Sequence, residues 1–282
     1  MANTTNLQVT EFDFDEVKAN LKIFLKNQTE FTDYDFEGSG MSSLLDVLAY
    51  NTHYLGFNAN MLANEMFLDS AALRSSISSH AKTLGYTPTS ARAATAVVNV
   101  ALNTSDTSAT MPAGTVFNAT INEDSYQFIT IADVTKALTG STILFSDTDI
   151  YEGSWITTRY SVDSTNVEQR FVINDNRADT STLRVKVQTS LSDSTTTTYT
   201  LATDIALLTS TSTVYFLQEV EAGKYEVYFG DGILSKAVTD GNIIILEYVV
   251  TNKTLGNGGS TFTNAATISG VSSVTVTTVS DS

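Results

Sequence analysis

The 282-residue chain contains no cysteine. Disulfides, thiolate chemistry and cysteine-ligated zinc or iron–sulfur centres are thereby excluded. No run approaches the roughly 18 apolar residues that a membrane span needs. The start, Met1 to Glu11, lacks a basic region followed by an apolar core, so no secretory signal is expected there. Basic residues are few. Only 15 Lys and Arg stand against 31 Asp and Glu, a formal net charge of -16. A field of that sign repels phosphate backbones and anionic membrane surfaces, and no Lys/Arg cluster overrules it. Neither nucleic acid nor membrane is an expected partner. Histidine is limited to His53 and His80, on separate predicted helices without H-E-x-x-H spacing, and a structural role is expected of both. Asp147 and Asp149 lack the further oxygens and closing Glu of a calcium loop. No cofactor, metal or catalytic group is expected.

What the chain does have is two kinds of periodicity. Over the first ninety residues the apolar positions follow helical spacing. Val17, Leu21, Phe24 and Leu25 predict a helix over 15–31, capped by Asp13 or Asp15. Gly38 and Gly40 interrupt it, and Ser39 or Ser42 can cap the next helix. That second helix is predicted over 42–67, close to 40 Å long at about 1.5 Å per residue. It carries two apolar rows. One holds Leu45, Leu48, Leu55, Leu62 and Met66; the other holds Tyr50, Tyr54, Phe57 and Met61. A surface helix ordinarily shows one apolar face, so this one calls for partners on two sides. Those rows are the candidate interface residues. A third helix is predicted to start at a Ser70 cap, to carry Leu73, Ile77, Ala81 and Leu84, and to stop at Gly85 with Pro88 beyond. Arg74 joins the candidates, either as a surface ion pair with Asp69 or as a bidentate anchor between chains.

After Ala96 the period becomes two. Val98, Val100 and Leu102 predict a strand; Met111–Phe117 reads as a turn entering a strand; Tyr126–Ile131, Leu183–Val187, Val214–Leu217, Tyr225–Phe229 and Ile243–Val250 follow. The Thr-rich segment 192–200 reads as an exposed hairpin, edge strand or loop. Turns are expected at Gly230-Asp231-Gly232, Asp240-Gly241-Asn242 and Asn257-Gly258-Gly259, where Gly tolerates positive φ and Asp bonds its own backbone. The expected division is a helical assembly domain over 1–92, a strand-rich domain over 93–218 and a Gly-rich β segment over 219–282, either separate from the middle domain or continuous with it.

The run FGDG, the turn DGN, the strand ending EYVVT and then LGNGG resemble the signature of baseplate J-like proteins of contractile phage tails. The stretch Thr32–Ala94 resembles the large baseplate wedge subunit of T4-like phages, and MPAGTVF and YQFITIADV fit the same family. The resemblance implies an α+β fold, an N-terminal helical bundle segment followed by a strand-rich J-like domain. It implies a virion tail baseplate component, assembled in the host cytoplasm. Two copies per wedge in a sixfold assembly, an elongated wedge protein sharing a helix bundle, and sheath-initiating and tube-attachment proteins are the implied partners. Arg74, Gly85, Gly230, Asp231, Gly232, Gly241, Gly256 and Asn257 are among the matched positions. Between Gly232 and Asp240, where the family shows a further Gly and a Pro, the residues are ILSKAVT. The alternative is a carbohydrate-acting or carbohydrate-binding β protein, with Asp231 and Asp240 as its acidic pair and Trp155 as an aromatic platform.

Overall fold

Two units separate along the chain, Met1–Thr87 and Pro88–Ser282, and each is described by itself. The computed structural model describes residues 13–28, 30, 34–35, 37–166, 169–220 and 223–282. The segment Met1–Glu11 and parts of the predicted connection over 30–40 lie outside the described residues.

In the first unit, α1 spans Phe14–Lys26. Asp13 caps it by accepting from the Asp15 amide, and Asp15 and Glu16 sit at its positive end. The helix stops at Lys26, short of the predicted end at 31. The second helix, α2, spans Gly40–Glu65, and its cap is Ser39, whose hydroxyl accepts from the Ser42 amide at 3.0 Å. The helix α1 packs along α2, and the Lys18 ammonium lies 2.6 Å from the Asp46 carboxylate.

The third helix, α3, spans Arg74–Thr83 and differs from expectation at its start. Ser70 does not cap it; its hydroxyl donates to the Asn64 carbonyl at 2.7 Å, at the end of α2. Leu73 occupies the cap position without a side chain that can accept. Glu65 supplies the missing acceptor, with Oε1 2.9 Å from the Ala72 amide and 3.2 Å from the Leu73 amide. The exchange is reciprocal, because His80 Nε2 lies 2.9 Å from the Glu65 carbonyl. The α2–α3 elbow thus satisfies donors at one helix start and acceptors at another helix end with each other's side chains.

The second unit is built of strands: β1 (Thr95–Asn103), β2 (Ser108–Met111), β3 (Val116–Ile121), β4 (Asp124–Ile129), β5 (Val134–Ala137), β6 (Thr142–Glu152), β7 (Ser154–Ser161), β8 (Phe171–Ile173), β9 (Ala178–Gln188), β10 (Thr196–Leu201), β11 (Val214–Glu219), β12 (Tyr225–Phe229), β13 (Ile243–Val250), β14 (Thr263–Asn264) and β15 (Val274–Ser280). A six-stranded sheet runs β14-β3-β4-β6-β1-β15, a seven-stranded sheet runs β7-β13-β9-β10-β11-β12-β8, and β2 pairs with β5. The chain is therefore α+β, with the helices first. All seven strands of the second sheet lie in sequence between β6 and β14 of the first. Gln218 falls inside β11.

Each sheet has its own apolar core. Phe117, Phe128, Phe145 and Leu102 fill the first, and Ile173, Tyr225, Ile244 and Leu246 the second. The β13 strand is covered on both faces, with Ile244, Leu246 and Tyr248 on one and Ile245 and Val249 on the other. The Thr-rich segment is exposed apart from Tyr199 and turns the chain back as the hairpin of β9 and β10, but it is not an edge strand. Its strand β10 lies inside the sheet, between β9 and a parallel β11, and Tyr199 is buried. One inward aromatic among threonines gives too weak an alternation to reveal this.

The path from the first sheet to the second crosses at Glu152 and Gly153 and returns after β13. A fully buried carboxylate ties the two crossings. Glu152 Oε2 accepts from the Thr251 hydroxyl at 2.6 Å and from the Asn252 amide at 2.9 Å, and Oε1 accepts from Asn252 Nδ2 at 2.7 Å. Three donors offset the cost of burying that charge. Gly256 lies over the Glu152 side chain, where a Cβ would come within 2.4 Å of its Cγ.

Candidate assembly surface

The two apolar rows of α2 fare differently at their two ends. Leu45 and Ala49 are buried in the chain's own helical unit, as are Ser42 and Gly56. Leu48, Tyr50, Tyr54, Leu55, Phe57, Met61, Leu62 and Met66 are all exposed, Leu62 at 69% and Met66 at 67%. Leu44, Val47, Phe67 and Leu68 are exposed beside them and were not among the sequence candidates. They interleave with the two rows, so the signal lay in the absence of any charged residue from Val47 to Asn64. Scattered exposed apolar residues are normal, but here they cluster along one helix. Tyr50 and Tyr54 hold each other, with ring centroids 4.7 Å apart and planes tilted by 56°. Their hydrogen bond holds the Tyr50 phenol above its ordinary value. Arg74 is exposed at the first position of α3.

The turn candidates lie in the second unit, and they divide by physical cause. Gly232 and Gly241 have positive φ, 89° and 78°, as a reversal requires. Gly230 does not. Its need is space, because a Cβ there would fall 1.9 Å from the hydroxyl of the fully buried Ser235. The same holds for Gly256 over Glu152. Asp231 Oδ1 accepts from the Ile233 amide at 2.9 Å, and these backbone donors hold its carboxyl below the usual range. Asn257 ends a short 3-10 turn over Lys253–Gly256.

Asp240 is likewise engaged, its Oδ1 accepting from the Ser164 amide at 2.9 Å. Asp231 serves its own turn and Asp240 a backbone amide 76 residues upstream, and nothing among the described residues sets the two as an acid–base pair. Trp155 lies against Gly114. His80 closes the α2–α3 elbow. Among the described residues no group of three or more His, Asp and Glu could hold a metal ion, and no helix is long and apolar enough to cross a membrane.

A helical unit with an uncovered apolar strut, joined to a strand-rich unit, describes a structural assembly component, and comparison with known proteins gives its kind. A family model described as "Baseplate wedge protein gp6-like, helical domain" matches residues 13–86. A second, "Bacteriophage baseplate wedge protein gp6, third domain", matches residues 157–257, the stretch that forms most of the seven-stranded sheet. The chain belongs to the gp6-like baseplate wedge protein family. Baseplate wedge protein gp6 of Enterobacteria phage T4 is 30% identical over 285 residues, an alignment covering 93% of this chain. The chain spans 42% of that protein's length.

Proposed function

We propose that this chain is a structural subunit of a contractile phage tail baseplate, and that it assembles into wedges and an inner ring around the tail tube. The observation that carries the reading is the uncovered apolar length of α2. Leu48, Tyr50, Tyr54, Leu55, Phe57, Met61, Leu62 and Met66 supply the contact, with Arg74 at its margin. Burying one such side chain contributes roughly 1.5–3 kcal/mol, so several covered together outweigh the cost of ordering two chains. The partners are a second copy of this chain within each wedge and an elongated wedge protein that adds its own helices to the bundle. Sheath-initiating and tube-attachment proteins lie beside the ring. Assembly precedes release from the host cytoplasm, and the acidic, polar remainder of the surface keeps free subunits soluble until then. Contacts that are moderate singly become strong once a ring closes.

Size-exclusion chromatography with light scattering, with and without candidate wedge partners, tests the reading. The expected result is a defined oligomer or a stoichiometric complex. A chain that stays monomeric and binds none of them refutes it.

A further inference from the structure

The strand unit carries ten Lys and Arg against twenty Asp and Glu, yet three of its cations share one face of the second sheet. Ile245 on β13 stands directly opposite Arg159 on β7 and Lys186 on β9. One step along, Glu247 stands opposite Thr157 and Arg184. Residues opposite each other share a face, so Arg159, Lys186, Arg184 and Glu247 form two adjacent rows. Glu247 is the one acid among them. It lies 2.9 Å from Lys186, and Arg184 donates to the Ile131 carbonyl at 2.7 Å. Arg159 is exposed and has no ion-pair partner among the described residues. The far end of the face is closed by the segments around Gly114 and Ile131, which leaves the end with Arg159 and Lys186 open. Ile245, in register between them, is buried.

An opposite surface exists in the first sheet. Asp147 and Asp149 are both exposed on β6, and Asp147 is held out at a positive φ of 48° with its amide fixed by Asn99 Oδ1. Neither carboxylate has an ion-pair partner among the described residues. Two chains of this net charge repel on average, and a contact between their strand units is favoured where a local positive patch meets acid. We infer that the Arg159–Lys186 face docks the Asp147–Asp149 stretch of a second copy, a head-to-tail contact between strand units. The two surfaces differ, so the contact is heterologous and either closes a ring or propagates. The inference rests on the self-association proposed above and names the faces that meet.

Charge exchange tests it, read as weight-average mass by sedimentation velocity on the full chain at low and at high salt. Arg159→Glu and the pair Asp147→Lys with Asp149→Lys are made separately, with circular dichroism to show that each is folded. Each variant alone is expected to associate about tenfold or more weakly than wild type. An equimolar mixture of the two is expected to recover association, because both contacts are then attractive. Wild-type association is expected to weaken with salt, as screening over about 8–10 Å requires. Wild type that associates while the variants are unaffected, or a mixture that fails to recover, overturns this inference alone. Wild type that never self-associates overturns both it and the self-association on which it rests.

Discussion

Two glycines are needed here for room rather than for backbone freedom. A Cβ at Gly230 collides with Ser235, whose buried hydroxyl has no hydrogen-bond partner. Gly230→Ala should therefore cost about 1–3 kcal/mol, the usual scale of overpacking. Ser235→Ala alone should be near neutral, since it removes an unsatisfied group. The double variant should recover most of the loss. Urea midpoints of the four proteins check this, and simple additivity would show that the collision is not the cause. Glu152 makes the complementary case. Replacing it with Ala strands three donors in a dry junction, and a loss of about 2–4 kcal/mol is expected. Trp155, three residues along the chain, should report it as a fluorescence change at lower denaturant. The sequence marked Gly230 as a positive-φ turn position and Gly256 only as a matched turn position, because which side chain sits above a glycine is a tertiary fact. Glu152 gave no signal at all, as its donors come about a hundred residues later.

Among the elements, the α2–α3 elbow shows how far local signals reach. The first two caps were legible because Asp13 and Ser39 act on amides within three residues. The start of α3 was not, because its acceptor, Glu65, lies seven and eight residues upstream on another helix. The Ser76 hydroxyl and the Ala72 and Leu73 amides hold the Glu65 carboxyl below its ordinary range. A depressed carboxyl contributes stability above its unfolded value and loses it as pH falls through the folded one. Helicity of this unit should therefore fall on acidification to below the ordinary Glu range, and Glu65→Gln should remove that part of the pH dependence. Far-ultraviolet circular dichroism against pH measures both, and superimposable profiles would contradict the cap. The strands divide similarly. Alternating apolar residues revealed β1, β9 and β13. The long β6 and β7 were missed: β6 sends Ile143, Phe145 and Ile150 inward, but the positive φ at Asp147 breaks their alternation, and β7 buries none of its residues fully.

For the molecule as a whole, the division of labour follows from what each unit buries. The strand unit contains two filled cores. The helical unit buries only Leu45, Ala49 and Ala81 among its described apolar side chains. Its described helices bury few apolar side chains, and α2 leaves Leu48, Tyr50, Tyr54, Leu55, Phe57, Met61 and Leu62 exposed. Replacing Phe57 and Leu62 with Ser should thus leave the thermal stability of the free chain within about 0.5 kcal/mol, as at other exposed positions, while weakening assembly severalfold. The broad apolar character of α2 was readable from the sequence. That Leu45 would be spent internally while Leu48 to Met66 stayed open was not, because it depends on where α1 lies.

Hydroxyl-radical footprinting of the free chain and of the assembled baseplate tests the central claim most directly. Met61, Met66, Tyr50, Tyr54 and Phe57 should be oxidised readily in the free chain and protected in the particle. Equal oxidation of those side chains in both states would mean that α2 is not where this subunit holds its neighbours.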